Sequence, residues 1–222
     1  MKPIRISTFT DLYDFVAQAE NESFIFRGMR DAENHKLIPS IGRINLRVGE
    51  PLKKFEQRIF RLFKERALPY MTHHPRNAWE WLAMAQHYGL PTRLLDWSYN
   101  PLVACYFAVE KEFAGDSVLY AFDVRRTVST ESTSPFTIDT VAKFRPPHIT
   151  SRIIAQSGVF TIHPDPERAF EDPRRVKVGL IASSFRRLLK RDLYKFGLNA
   201  STLFPGLEGV TRDIEWRHTD VH

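Results

Sequence analysis

Gln86-His87-Tyr88-Gly89-Leu90-Pro91-Thr92-Arg93-Leu94-Leu95-Asp96-Trp97-Ser98-Tyr99-Asn100-Pro101-Leu102-Val103-Ala104-Cys105-Tyr106-Phe107-Ala108 sets the fold class. Gly89 and Pro91 stop the helix predicted over 77–88, because one favours the left-handed turn after a helix and the other cannot continue it. Thr92 to Leu95 then reads as a strand. Asn100 caps a second helix with Pro101 at its first position, where a missing N–H costs nothing. Leu102, Val103, Cys105, Tyr106, Val109 and Phe113 make that helix apolar around much of its circumference, so it must be buried. With no regular βαβ rhythm elsewhere, this predicts one α+β domain over residues 1–222, a mixed sheet with surrounding helices.

Outward from that stretch, Thr8 or Thr10 caps a short helix through Ala19, and 23–28 is a strand running into Gly28. Residues 29–49 read as an irregular connection. A helix is predicted over 51–67 from the spacing of Leu52, Phe55, Ile59, Leu62, Phe63 and Ala67. Downstream, 117–123 is a strand. The segment 127–137, with seven Ser or Thr in eleven residues, reads as a surface loop without a fold-determining role. A short helix over 149–156, strands over 159–162 and 175–181, a helix capped by Ser183 or Ser184 and running to Phe196, and a last helix over 207–217 complete the chain. In the helix ending at Phe196, Phe185, Leu188, Leu189, Leu193 and Phe196 are expected inward.

The 222 residues are 43% hydrophobic, 26% charged and 13% aromatic, a composition that excludes disorder, repeat arrays and coiled coils. One cysteine, Cys105, excludes an intramolecular disulfide and a cysteine-based zinc cluster and points to a reducing compartment, the cytoplasm by default. Met1-Lys2-Pro3-Ile4-Arg5 runs into polar sequence instead of a signal-peptide core, and no apolar run reaches a membrane span, so no membrane partner is expected. The net charge of +6 is concentrated. Residues 174–195 hold eight basic residues and one acid, and residues 43–66 hold eight against three. Such stretches suit a phosphate-bearing partner, a nucleotide or nucleic acid, although solvated helix faces would look the same.

The opening stretch also places Gln86, His87, Thr92, Arg93, Asp96 and Ser98 at the junctions between apolar elements, where polar groups are costly unless paired or used. A helix-dipole role for His87 and a partner role for Asp96 beside Arg93 or Ser98 compete with a functional one. Arg27, emerging from an apolar strand before Gly28, suits bidentate anion binding where backbone approaches closely, against a structural salt bridge. Arg152 and Gln156 lie one helical turn apart and can meet one ligand. No phosphate loop, dinucleotide fingerprint, nucleophile elbow or His-Glu-x-x-His occurs, and no metal is expected.

Phe26-Arg27-Gly28, the 86–98 block with Asn100-Pro101-Leu102-Val103-Ala104-Cys105-Tyr106-Phe107-Ala108, Gln156-Ser157-Gly158-Val159-Phe160 and 199–207 together resemble the FRG-domain family, over about residues 20–210. That resemblance implies a bacterial and phage family found near defence or toxin-like genes, without naming a reaction. The chain is more remotely similar to ADP-ribosyltransferases of the Arg/Ser/Glu type. This implies an ADP-ribosyltransferase-like fold and NAD as substrate. It places Arg27 on the NAD phosphates or ribose, Ser98 in support of the site and Gln156 at the start of the terminal motif. The catalytic glutamate of those enzymes falls at Gly158, which leaves Asp96 as the best-placed acid.

Three readings follow. The first is nucleotide binding by Arg27, Gly28, Gln86, Thr92, Arg93, Ser98 and Arg152, with Asp96, His87 and Gln156 in catalytic places, in a toxin or defence effector. The second is a nucleic-acid-binding module in which Arg187, Arg191 and Lys195 share one helix face and follow a phosphate backbone. The third is a hydrolase or nuclease using His87 with Asp96 as an acid–base pair. Arg27, taken as a surface-cleft residue, is expected to tolerate replacement by Ala without loss of fold.

Overall fold

The computed structural model describes residues 2–46, 49–71, 74–146 and 150–219. Its elements in chain order begin with β1 (Ile4–Ile6), α1 (Phe9–Ala17), β2 (Phe24–Met29), α2 (Leu52–Ala67), α3 (Ala78–His87), β3 (Leu94–Ser98), α4 (Pro101–Val109) and β4 (Ser117–Asp123). They continue with β5 (Ala142–Phe144), α5 (Ser151–Ala155), β6 (Gly158–Ile162), β7 (Val176–Ile181), α6 (Ser183–Lys195), α7 (Ala200–Leu203) and α8 (Leu207–His218). The strands form one seven-stranded sheet in the order β1-β7-β4-β2-β3-β6-β5. β1 and β7 run parallel and every other pair is antiparallel. The class is the expected mixture of helix and sheet.

The middle of the sheet is nearly divided. β2 pairs with β4 over Phe24 to Met29, and β3 pairs with β6 along its whole length. β2 and β3 share only the pair Phe26 with Ser98. Beyond that pair the two strands part, and the chain has two half-sheets joined at a point.

Alternation of side chains along the strands makes the cores. Phe26, Leu119, Ala121 and Ile181 face α1, α4 and α6, where Phe15, Val103, Ala104, Phe185 and Leu189 are buried. On the other face Ile25, Met29, Leu95, Trp97, Val118, Phe122 and Val159 pack with Leu37 and Phe170 from the loops. A third cluster, built on Trp79, Leu82, Leu94, Phe144, Phe160 and Ile162, covers the β3-β6-β5 half. α4 is buried around its circumference as its composition requires, and burial pushes the Cys105 thiol up to about 12, which makes it inert. Asn100 caps α4 by accepting from the Leu102 N–H at 2.9 Å.

Several sequence expectations shift. The third strand covers 94–98 instead of 92–95, so Asp96 and Ser98 are strand residues. α6 starts at Ser183 without a serine cap: the Ser183 N–H donates to the Asp116 carboxylate at 2.8 Å, an acceptor supplied from the β4 side. Leu188 and Phe196, expected inward, are exposed. The Ser/Thr-rich loop does serve the fold, because the Trp79 indole donates to the Thr133 carbonyl and Phe136 packs edge-on against Phe60. The short strands β1 and β5 escaped a reading based on period, and the helix expected from 149 starts at Ser151, position 149 itself lying outside the described residues. Among the described residues no helix is long and apolar enough to cross a membrane.

Gly28 lets α4 lie directly on β2. A Cβ there would stand 1.8 Å from the Ala104 carbonyl oxygen, which is backbone and cannot move aside. The close approach on the Cβ side of this glycine is that of a helix. Gly28→Ala is expected to lower stability by about 2 kcal/mol or more, read from the midpoint of urea unfolding.

Candidate functional site

The parting of β2 from β3 opens a cleft of about 490 Å³ between the half-sheets. Arg27 enters it from β2 with its side chain only 18% exposed. One guanidinium nitrogen donates to the backbone carbonyl of Asp96 and lies 3.7 Å from the Asp96 carboxylate, which is itself 58% exposed. The arginine thus bridges the gap where β2 and β3 no longer hydrogen-bond. Its Nε is buried and has no partner, and the same holds for Nε of Arg30, which also lines the cleft. Arg43, Lys111 and Arg152 complete a set of five cations around it, against the carboxylates of Asp96 and Glu110. Glu110 is already held by Arg212 at 3.1 Å. Burial drives the Arg27 pKa down and Arg43 adds to that, with Asp96 opposing. A cation penalised in this way is relieved by an anion.

Asp96 is held by a chain that begins in the turn before β3. The Leu94 N–H donates to Thr92 Oγ1 at 3.1 Å, Thr92 Oγ1 donates to Gln86 Oε1 at 2.5 Å, and Gln86 Nε2 donates to Asp96 Oδ2 at 2.9 Å. These contacts orient the Gln86 amide and aim the carboxylate at the cleft. On the opposite wall the Arg152 guanidinium sits 4.6 Å from the centre of the Phe204 ring, and Gln156 Nε2 donates to the Leu203 carbonyl at 2.9 Å. Ser98 Oγ donates to the Gln156 carbonyl at 2.8 Å and accepts from the Asn100 N–H at 2.9 Å, tying β3 to the end of α5 and the start of α4.

Arg27, Gly28, Gln86, His87, Asp96, Ser98, Arg152 and Gln156 therefore line one cleft. Thr92 and Arg93 do not. Thr92 orients Gln86 from behind. Arg93 is 5% exposed and makes a two-pronged pair with the buried Glu56, with Phe136 stacked near its guanidinium, so it has no reach toward a ligand. Gln156 donates to the Leu203 carbonyl and Ser98 is bonded to backbone, so each ties the wall of the cleft to its neighbours. His87 makes no hydrogen bond to Asp96. Burial lowers its pKa, with Arg152 adding to that and Glu208 opposing, and Asp96 is not among the charges that act on it. Arg27 is a largely buried residue bridging the middle of the sheet, and its replacement by Ala would remove that bridge, contrary to the expectation of a neutral change.

The basic stretches resolve differently from their appearance in sequence. Arg186 is buried and donates to the carbonyls of Ala108 at 2.8 Å and Lys111 at 2.6 Å, and Lys190 donates to the Glu110 carbonyl at 2.7 Å. These cations satisfy the C-terminal end of α4, where carbonyls and the helix dipole favour positive charge. Arg175 pairs with Asp172, and Lys177 donates to the Gln18 carbonyl. Arg187, Arg191 and Lys195 do share the outer face of α6, but Arg187 lies 4.0 Å from Glu112, Lys195 lies 3.0 Å from Asp192, and none of the three reaches the cleft. From residues 43–66 only Arg43 does, and Arg47 lies outside the described residues.

Arg30, Arg43, Lys111 and Glu110 were not singled out in the sequence. Arg30 follows the end of β2, and nothing local distinguishes it from a solvated loop arginine. A buried polar chain beneath the cleft was also missed: the Trp97 indole donates to Thr161 Oγ1 at 2.8 Å, and Thr161 Oγ1 shares a further hydrogen bond of 2.8 Å with His163 Nε2. His163 is 2% exposed, and burial, with Arg27 adding to it, pushes its pKa down to about 3.

Residues 22–117 match the sequence family described as FRG domain. That span carries Arg27, Gln86 and Asp96 and stops short of Arg152 and Gln156. No curated protein and no solved structure matches the chain.

Two measurements follow from the buried groups. Glu56→Ala leaves Arg93 charged and unpaired in the interior and is expected to cost about 3–5 kcal/mol in chemical unfolding, whereas Glu56→Leu with Arg93→Met should cost clearly less. His163 takes up a proton in the unfolded chain near its ordinary 6.5 but in the folded chain only near 3. The unfolded state thus binds more protons between those values, and stability falls as pH drops through that window, by on the order of a few kcal/mol. His163→Gln should flatten the pH dependence of the unfolding midpoint there.

Proposed function

We propose that this chain, which carries an FRG domain, binds a phosphate-bearing nucleotide in the cleft between β2 and β3, with NAD the candidate added by its resemblance to ADP-ribosyltransferases. The observation that carries this reading is Arg27. It is a largely buried guanidinium at the division of the sheet, with an unpaired Nε, an exposed and therefore weak carboxylate partner, and four further cations around the same cleft. A planar guanidinium matches two phosphate oxygens, and surrounding positive charge raises the local concentration of an anion.

In the NAD form of this reading Asp96 is the working carboxylate. Gly158 offers no side chain, and a Cβ there would lie 3.3 Å from the Ile153 carbonyl. Asp96 is held by Gln86 on one oxygen and open to solvent, and it accepts a ribose hydroxyl. It stabilises positive charge at C1′ as the C1′–N bond breaks and the bonding pair leaves on nicotinamide. Water or a target nucleophile then bonds to C1′ and gives up a proton. A toxin or phage-defence effector is the setting that the resemblance attaches to such a reaction.

Isothermal titration with NAD, ADP-ribose and adenosine tests the binding. NAD and ADP-ribose are expected to bind and adenosine not to. Arg152→Ala and Arg43→Ala should each weaken binding by about tenfold at unchanged melting temperature, and Arg27→Lys by more, since an ammonium cannot hold two oxygens at once. Release of nicotinamide should fall by about a hundredfold in Asp96→Asn while ADP-ribose binding is kept. Equal binding of adenosine and ADP-ribose, or none of either, removes the reading.

A further inference from the structure

On the nucleotide reading of the cleft, on which this rests, we infer that the end of the cleft at Arg30 and Lys111 is a subsite for a phosphomonoester on the nucleoside ribose, so that a nucleotide phosphorylated at its 2′ or 3′ hydroxyl binds in preference to the same nucleotide without that ester.

The cleft follows α4 from its start to its end. Ser98, whose Oγ accepts the Asn100 N–H and donates to the Gln156 carbonyl, stands at the start, next to Trp97 and Asp96 on β3. Arg30 stands at the other end. Ser117 Oγ lies 2.7 Å from the Arg30 carbonyl and 2.9 Å from that of Ala108 in the last turn of α4, and Lys111 comes just after that helix stops at Val109. The rise of roughly 3.3 Å per residue along a strand carries the chain about 10 Å from Arg27 to Arg30, a separation of the size of one ribose with its phosphates. A diphosphate at Arg27 with its reacting ribose at Asp96 therefore leaves the second nucleoside at the Arg30 end.

That end holds positive charge without a counter-charge. Neither Arg30 nor Lys111 has a side-chain hydrogen bond or ion pair among the described residues. The acids beside them have cations of their own: Glu110 pairs with Arg212 at 3.1 Å, and Glu112 lies 4.0 Å from Arg187. The Arg30 guanidinium lies 5.9 Å from the centre of the Phe113 ring, and that of Arg186 lies 5.6 Å from the same centre. Burial lowers the Arg186 pKa, Glu112 opposes, and Arg30 adds to the fall, so the two cations repel. Arg186 is spent on the carbonyls of Ala108 and Lys111, which leaves Arg30 and Lys111 to meet a ligand. With Glu110 neutralised, the five cations of the lining face the carboxylate of Asp96 alone, and a diphosphate carrying one charge on each phosphate leaves positive charge over. A phosphomonoester supplies about −1.5 to −2 at pH 7 and three acceptor oxygens, which suits a guanidinium and an ammonium together.

The test is isothermal titration of the whole chain with AMP, adenosine 2′,5′-bisphosphate and adenosine 3′,5′-bisphosphate, with ADP-ribose as the reference ligand. One bisphosphate is expected to bind at least about tenfold tighter than AMP, and which isomer does so fixes the position of the ester. Arg30→Met, which keeps the stem beside Phe113, and Lys111→Met, at an exposed position, should each bring the ratio of bisphosphate to AMP affinity toward one. Arg152→Ala, on the opposite wall, should weaken all four ligands and leave that ratio in place. Binding of ADP-ribose with no gain from either ester overturns the subsite alone, as does a ratio that survives in both methionine variants or falls as far in Arg152→Ala as in them. Failure of all four ligands to bind removes the nucleotide reading and the subsite with it.

Discussion

Phe26 and Ser98 are the single residue pair at which β2 meets β3, and the rest of the molecule is arranged around that narrow junction. A sheet interior ordinarily satisfies its N–H and C=O groups strand to strand, so strands that part must find other partners for them. Here the Arg27 guanidinium takes the Asp96 carbonyl, Ser98 takes the carbonyl of Gln156, and Asn100 begins α4 at once. The same polar groups that close the sheet's internal gap also line its opening. Arg27 bridges the half-sheets with one nitrogen, while its Nε is buried without a hydrogen-bond partner.

Electrostatics along the chain illustrate how sequence charge is redistributed by folding. The window 174–195 looks like a polyanion-binding surface, yet Arg186 and Lys190 point back into the molecule and satisfy the carboxyl end of α4, the most deeply buried helix. The cations that meet at the cleft come instead from β2, the loop after it, the turn at 40–43, α4's end and α5. No linear window contains them. Part of the positive charge concentrated in sequence satisfies a helix end, and positive charge dispersed in sequence lines the cleft.

Much of the framework was readable because local physics dominates there. Asn77 and Asn100 cap helices, Gly89 ends one, and the alternation in 117–123 makes a strand whatever its neighbours do. Errors fell where a distant partner decides. The α6 cap comes from Asp116 and not from a local serine, Arg93 is taken up by Glu56 on α2, and the Cβ side of Gly28 is filled by α4. The short strands β1 and β5 have too few residues for a period to register, and they exist because β7 and β6 offer open edges.

The sequence by itself determined the mixed helix and sheet class, the buried α4, and the polar residues Arg27, Gln86 and Asp96, because capping, periodicity and the cost of polar groups among apolar ones act over a few residues. Only the tertiary structure decided which of those residues face a common space. The reason is physical: β2 and β3 are separated by more than sixty residues of chain, and the gap between them, the unpaired Nε of Arg27 and the encircling Arg30, Arg43 and Arg152 exist only once the half-sheets meet at Phe26 and Ser98.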